Sequence, residues 1–597
     1  MSVSEDTEVE PRYLGLLMLS IIAVVVGAFT GLGAVGFRAL IGFIHNLSFL
    51  GQLSFYYDAN LHTPPSPWGL GVILVPVLGG LIVVFLVVNF APEARGHGVP
   101  EVMDAIYYKE GRIRAVVAVI KSLASALSIG TGAAVGREGP IIQIGASFAS
   151  TVGQIIRMQT WQRITLVAAG AGAGIAATFN TPIGGVMFAV ELMLPEVSVR
   201  TFLPVALATG TATFVGRIFF GLQPAFHVSL LPMLSNHPAT FVALVLYGIL
   251  GAIIGLAATA FIRGLHWSED VFEHVKNPYL RHVVGMLGVG VMIYLLMVGF
   301  GHYYVEGVGY STIQDILSGG LALYWLLALL FVCKLAATIL SLGSGASGGI
   351  FSPSLFMGAT IGGAFGGLID MVHPSSEVSV AAFAMVGMAA MVGGGTGAAM
   401  TAVTMIFEMT RDYDIVMPMI VAVAIAIGVR RMLSRENIYT IKLVSRRHFI
   451  PKALHANMFL VRHATEVMDK DVLVLPAETS FDEFLGRPEL AGKMQLVVVA
   501  RDNRILGVQR INTGLQRGLE GTHTGVTLGD VVRKNFTVAR EEDIVFDVIE
   551  RMWRRDASMS VVVKGETRVP RADQVVGIIT KEHIADSVAD SVKGYGG

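Results

Sequence analysis

From Tyr13 to Val429 the sequence is a succession of apolar stretches, at about 13–50, 67–91, 113–131, 141–156, 162–194, 201–222, 239–264, 280–300, 321–342, 350–370, 379–409 and 415–429. A helix needs about 20 apolar residues to cross the hydrocarbon core of a bilayer. Backbone groups there have no water to bond, so each span must satisfy its own hydrogen bonds. The first stretch exceeds one straight span and is expected to tilt or overhang. Several others are short or interrupted by glycine and proline. The pattern predicts an all-α polytopic membrane domain with broken and re-entrant helices. Broken segments at corresponding positions point to a site where the helices break.

Charge distribution divides the chain. Of the 597 residues, 15% are charged, against about 25% in a soluble domain. Of the 43 Lys and Arg, 26 lie between Arg430 and Gly597. A net charge of −1 and one cysteine argue against a nucleic-acid partner, a disulfide framework and a multi-thiolate metal site. After Arg430, β-rich runs alternate with amphipathic helices. One unit runs from about 464 to 515, with strands Leu496–Ala500 and Ile505–Val508. The other runs from about 526 to 592, with strands Ser560–Val563 and Val575–Ile579 beside a helix Ile544–Trp553. The basic run Arg430, Arg431, Arg435, Lys442, Arg446 and Arg447 predicts a cytoplasmic C-terminal domain by the positive-inside rule. Residues 1–11 lack the basic start of a signal peptide and are expected to form a cytoplasmic tail.

The membrane region repeats itself. Lys121, Ser128, Gly130, Gly132, Gly136, Pro140 and Gly145 recur 213 residues later as Lys334, Ser341, Gly343, Gly345, Gly349, Pro353 and Gly358. Gly170 and Glu191 recur at an offset of 217 as Gly387 and Glu408. Two homologous halves follow, about 12–222 and 239–429, inverted in the membrane if an odd number of spans separates them.

Each half carries G-x-x-x-G-x-x-x-P where an apolar run breaks. Glycine permits left-handed backbone and close approach, and proline suits the first turn of a helix. Each element therefore reads as a loop feeding a helix N-terminus, whose free N–H groups and positive dipole end suit an anion without formal positive charge. Such ends bind weakly enough for release, which conduction requires. The alternative is that these glycines serve only helix packing. Glu138 lies inside the first element. A carboxylate in a membrane segment is a functional-site hypothesis by default, and at a helix N-terminus it would compete with an anion. Its bland counterpart is a Glu that stabilises the helix dipole.

At these residues the chain resembles the CLC family of voltage-gated chloride channels and proton-coupled chloride exchangers. Gly96-His97-Gly98-Val99-Pro100 is similar to the family's GSGIP element, Gly136-Arg137-Glu138-Gly139-Pro140 to GREGP, and Gly349-Ile350-Phe351-Ser352-Pro353 to GIFAP. Tyr439 matches the pore tyrosine, and residues 446–597 resemble tandem cytoplasmic CBS domains. The resemblance covers about 12–445 in the membrane region. It implies a homodimer in the plasma membrane with one pore per subunit, and chloride as bound and transported ion without a cofactor. It also implies gating by Glu138 and an anion site drawn from His97, Gly98, Arg137, Gly139, Ile350, Phe351 and Tyr439.

Two positions depart from the family pattern. His97 replaces a serine whose hydroxyl contacts the anion; an imidazole can donate one hydrogen bond, and it titrates near neutrality. Glu191, after Asn180-Thr181-Pro182, matches the first of two adjacent glutamates found in exchangers. Leu192 takes the place of the second, the inner proton acceptor. Leucine cannot relay a proton, so the sequence favours a passive channel, with proton-coupled antiport as the alternative and Glu138 and Glu191 as proton-pathway candidates. Glu191 and Glu408 also have a structural reading, each satisfied within its own half. Lys121 and Lys334 read as structural ammoniums. In the C-terminal part Thr580 matches a nucleotide-contacting threonine, but His583 replaces an aspartate, so adenine-nucleotide binding is not favoured.

Rival classes fare worse. Gly345-Ala346-Ser347-Gly348 matches the serine motif of rhomboid proteases, but the only histidine after Ser347 in the membrane region is His373, in a loop, and that chemistry needs a neighbouring base. An enzyme is therefore not expected. A CBS-containing divalent cation channel needs clustered oxygen ligands, and no span carries an acidic cluster; no metal site is expected.

Overall fold

The computed structural model describes residues 13–228, 241–372, 379–450, 458–480, 483–484, 495–511, 527–565 and 570–593. The tail expected at 1–11 and His373 lie outside them. Contacts divide the chain between Ile450 and Pro451 into two compact units.

The N-terminal unit is two series of eight helices. The first contains α1 (Leu16–His45), α2 (Val75–Phe90), α3 (Val99–Tyr108), α4 (Ala115–Gly130), α5 (Glu138–Ile155), α6 (Thr160–Phe179), α7 (Pro182–Phe188) and α8 (Val199–Phe220). The second contains α9 (Phe241–Glu273), α10 (Pro278–Phe300), α11 (Tyr310–Leu317), α12 (Tyr324–Ser344), α13 (Phe351–Val372), α14 (Val380–Thr396), α15 (Ala399–Thr410) and α16 (Val416–Leu433), followed by α17 (Thr440–Ser445). Among the described residues eight helices are long and apolar enough to cross a membrane. The series pack alike: α1 on α8 as α9 on α16, and α5 on α6 as α13 on α14.

The repeated residues explain this likeness. A Cβ on Gly145 would lie 2.3 Å from the Gly170 carbonyl oxygen, and one on Gly358 2.3 Å from that of Gly387. These four glycines let the backbones of α5 and α6, and of α13 and α14, touch. The Ser128 hydroxyl accepts from the Ser347 N–H and the Ser341 hydroxyl from the Ala134 N–H, each at 3.2 Å. Gly136 and Gly349, equivalent at offset 213, exchange N–H···O bonds of 2.7 and 2.6 Å in antiparallel pairing. A local two-fold axis therefore passes between two inverted repeats. Lys121 donates to the Ala94 and Gly96 carbonyls, and Lys334 to those of Val305 and Gly307, which satisfies two fully buried ammoniums.

One expectation is corrected. Glu191 accepts from the Met400 and Thr401 N–H groups at the start of α15, and Glu408 from the Ile183 and Gly184 N–H groups at the start of α7. Each carboxylate is satisfied by the opposite half, because the first amides of a helix have no intrahelical acceptors.

The C-terminal unit holds two three-stranded sheets of the same design. In β1 (Val472–Pro476), β2 (Gln495–Arg501) and β3 (Arg504–Ile511), the first pair is parallel and the second antiparallel. In β4 (Thr537–Arg540), β5 (Met559–Val563) and β6 (Val575–Thr580), the order and the directions repeat. Val498, Val508, Val561 and Ile578 share one apolar cluster, so the two sheets pack on each other. This is the paired α/β architecture that the CBS resemblance implies.

Candidate anion site

Four loop-to-helix turns converge between the halves. Two are the breaks before α5 and α13. The third precedes α3, where Gly96 and Gly98 have φ of +76° and +83°; the fourth precedes α11, where Gly307 and Gly309 have +51° and +77°. Both glycine pairs need the left-handed region that L side chains avoid. The fourth turn, Gly307-Val308-Gly309-Tyr310, repeats Gly96-His97-Gly98-Val99 at an offset of 211, a signal that the sequence reading passed over. The loops lie against each other: Gly96 pairs with Ser347, and a Cβ on Gly139 would lie 2.1 Å from the His97 carbonyl oxygen. The Ser347 hydroxyl donates to the Ala94 carbonyl at 2.6 Å, a packing role.

Glu138 is the first residue of α5 and is fully buried. Its carboxylate folds back over Gly136, where a Cβ would lie 2.3 Å from Glu138 Oε2. It accepts from the Ser352 N–H at 3.2 Å, from the Ser352 hydroxyl at 2.5 Å and from the Tyr310 hydroxyl. The Ser352 and Tyr310 hydroxyls are themselves 2.7 Å apart. The carboxylate thus occupies the N-terminal end of α13, the end whose first amides, those of Ile350 and Phe351 among them, face no intrahelical acceptor. An anion and this carboxylate would compete for one positive helix end.

On another side of the same loops lie His97 and Tyr439, both buried, with ring centroids 5.9 Å apart. His97 Nδ1 is buried without a hydrogen-bond partner among the described residues. Tyr439 is fixed by the Asn437 side chain, which accepts from the Tyr439 N–H at 2.9 Å. Glu101 on α3 ties α17 in place through Lys442 at 3.2 Å and two bonds from Arg446 at 2.7 and 2.9 Å. Burial opposes ionisation of Glu101, but these two cations outweigh it and hold its carboxyl at about 2.

The structure therefore gathers His97, Gly98, Arg137, Glu138, Gly139, Ile350, Phe351 and Tyr439 at one place. Arg137 packs its guanidinium 5.1 Å from the centre of the Tyr310 ring. Tyr310 and Ser352 are the residues sequence reasoning missed. Glu191 stands apart, capping α15, with Leu192 beside it. Thr580 accepts from the His583 N–H at 3.2 Å, and Arg510 pairs with Glu582.

A family model described as voltage gated chloride channel matches residues 79–431. Proteins named H(+)/Cl(-) exchange transporter ClcA from Salmonella arizonae and Salmonella paratyphi B are each 32% identical over 432 residues, 71% of this chain and 88% of theirs. A slow cyanobacterial Cl-/H+ antiporter matches with a TM-score of 0.63 and 25% identity, over 73% of this chain and 99% of that one. A eukaryotic CLC transporter shares the fold with a TM-score of 0.59 and 20% identity, over 95% of this chain and 98% of its own. The four turns around Glu138 all lie within the matched residues, and the chain belongs to the voltage-gated chloride channel, or CLC, family, as an integral membrane protein of anion transport.

Proposed function

We propose that this chain exchanges chloride for protons across the membrane, with Glu138 both closing the anion path and carrying the proton. The observation that carries the reading is the placement of the Glu138 carboxylate on the Ser352 N–H, at the helix end where an anion would bind. Protonation removes the charge that holds it there, and the vacated helix end then accepts chloride. Ile350 and Phe351 would supply amides, Tyr439 its hydroxyl, and His97 the single donor left where family members carry serine.

The sequence favoured a passive channel on the strength of Leu192. Relatives at 32% identity are named exchangers, as is the solved structure at 25%, and that favours exchange. Because Glu191 is committed to α15 and Leu192 cannot titrate, proton delivery from that side would use water. The family resemblance supports a homodimer, and the basic run after α16 supports a cytoplasmic C-terminal unit.

Purified full-length protein in liposomes, loaded with chloride and diluted into chloride-free buffer, is expected to pump protons inward against no imposed pH gradient. Glu138→Gln is expected to abolish the proton movement while chloride still leaves. Chloride efflux without proton uptake in the unaltered protein would overturn exchange.

A further inference from the structure

Tyr310 also borders a cavity of about 200 Å³ whose wall includes Arg38, Arg137, Arg217, Asp58 and Asn180. A water occupies about 30 Å³ of liquid, so the cavity has room for a small ion with several waters. Its wall is net positive. Asp58 is the single carboxylate on the wall, and none of the three arginines has an acidic side chain within ion-pair distance among the described residues. Arg217 donates to the Asn180 side chain at 2.6 Å, and Arg38 stacks 4.5 Å over the Phe220 ring. Arg137 is only 8% exposed, and its Nε has no hydrogen-bond partner among the described residues. A buried guanidinium donor without an acceptor is costly, and an anion in the cavity would remove that cost.

We propose that this cavity is an anion-capture site, in which Arg38, Arg137 and Arg217 hold a partly hydrated chloride before Tyr310 and Glu138 give way to it. The site is distinct from the helix-end site: its ligands are cationic side chains instead of amides, and it is wide enough to leave water on the ion. Its task is to concentrate the anion at the mouth of the path, since a cleft with an excess of one sign of charge raises local counter-ion concentration and association rate. Asp58 on the same wall offsets part of the positive charge and the cavity leaves water on the ion, so the ion is held loosely enough to move on. This inference rests on the chloride-transport reading for its role but not for its occupancy.

Two measurements keep those apart. Crystals of the full chain soaked in bromide are expected to show an anomalous peak among Arg38, Arg137 and Arg217 that is lost in Arg217→Gln and kept in Arg217→Lys. In liposomes, Arg38→Gln and Arg217→Gln are each expected to raise the chloride concentration for half-maximal uptake about 3- to 10-fold, and to flatten its dependence on ionic strength. Lys276→Gln, which removes an exposed charge away from the cavity, is expected to change neither. A cavity without bromide, or unchanged half-saturation in both arginine variants, overturns the capture site even if chloride transport stands. A bromide peak in a protein that moves no chloride overturns the transport reading and leaves the capture site in place.

Discussion

Glu138 is held by one amide and two hydroxyls, and the hydroxyls belong to residues at the starts of two different helices, Tyr310 on α11 and Ser352 on α13. A hydrogen bond to a charged group contributes about 1.5–3 kcal/mol, so Tyr310 is a substantial part of what keeps the path closed. Tyr310→Phe removes the hydroxyl while keeping the ring on Arg137. It is expected to loosen the carboxylate and raise chloride uptake at a fixed neutral pH several-fold; uptake equal to that of the unaltered protein would show that Tyr310 does not restrain the gate. His97 makes a different prediction. Buried beside Tyr439, with a ring nitrogen that has no hydrogen-bond partner among the described residues, it is expected to select among anions, so His97→Ser should change the ratio of chloride to nitrate uptake. An unchanged ratio would place His97 outside the anion's contacts.

Elements are joined here by residues that the repeat makes equivalent, and equivalent substitutions should have like effects. Gly145→Ala and Gly358→Ala each put a methyl about 2.3 Å from a carbonyl oxygen of the facing helix. Both are expected to lower the yield of folded, monodisperse protein in detergent, and one tolerated without loss would contradict the packing account. Glu101 braces α3 to α17 and so fixes Tyr439. Its carboxyl is held at about 2 by Lys442 and Arg446 against an ordinary value of 4.5, so the brace contributes fully above about pH 4.5 and is lost as pH falls toward 2. Glu101→Gln should lower stability by about 1–3 kcal/mol at pH 7, and by less in a thermal melt at pH 3. An equal loss at both pH values would remove the ion pair as the cause.

The reading of these elements from sequence was uneven for physical reasons. Long apolar runs announced the spans, and identical glycines announced the two halves, because close backbone approach leaves no substitute for glycine. The short helices α3 and α11 were invisible as runs, since each mixes apolar residues with Glu101 and Asp104 or with Gln314 and Asp315. With α11 went Tyr310, although Gly307 and Gly309 repeat Gly96 and Gly98. Strands β1 and β4 were likewise passed over. The capping roles of Glu191 and Glu408 run between halves, a relation that local spacing does not carry.

At the scale of the whole molecule, two inverted halves meet at the Gly136–Gly349 pair and present four helix starts to one point, with a carboxylate lying across it. A gated anion pathway can use such a plug as a gate alone, whereas a chain that exchanges chloride for protons needs the same group to carry the proton as well. Leu192 remains the position where the resemblance to exchangers breaks, and only a coupled measurement separates the two outcomes. The most direct is the reversal potential of the purified protein in a planar bilayer with equal chloride on both sides and a pH gradient across it. Exchange requires a potential displaced from zero by the pH gradient in the unaltered protein and returned to zero in Glu138→Ala. A reversal potential of zero in the unaltered protein, moving only when chloride is made unequal, would contradict it.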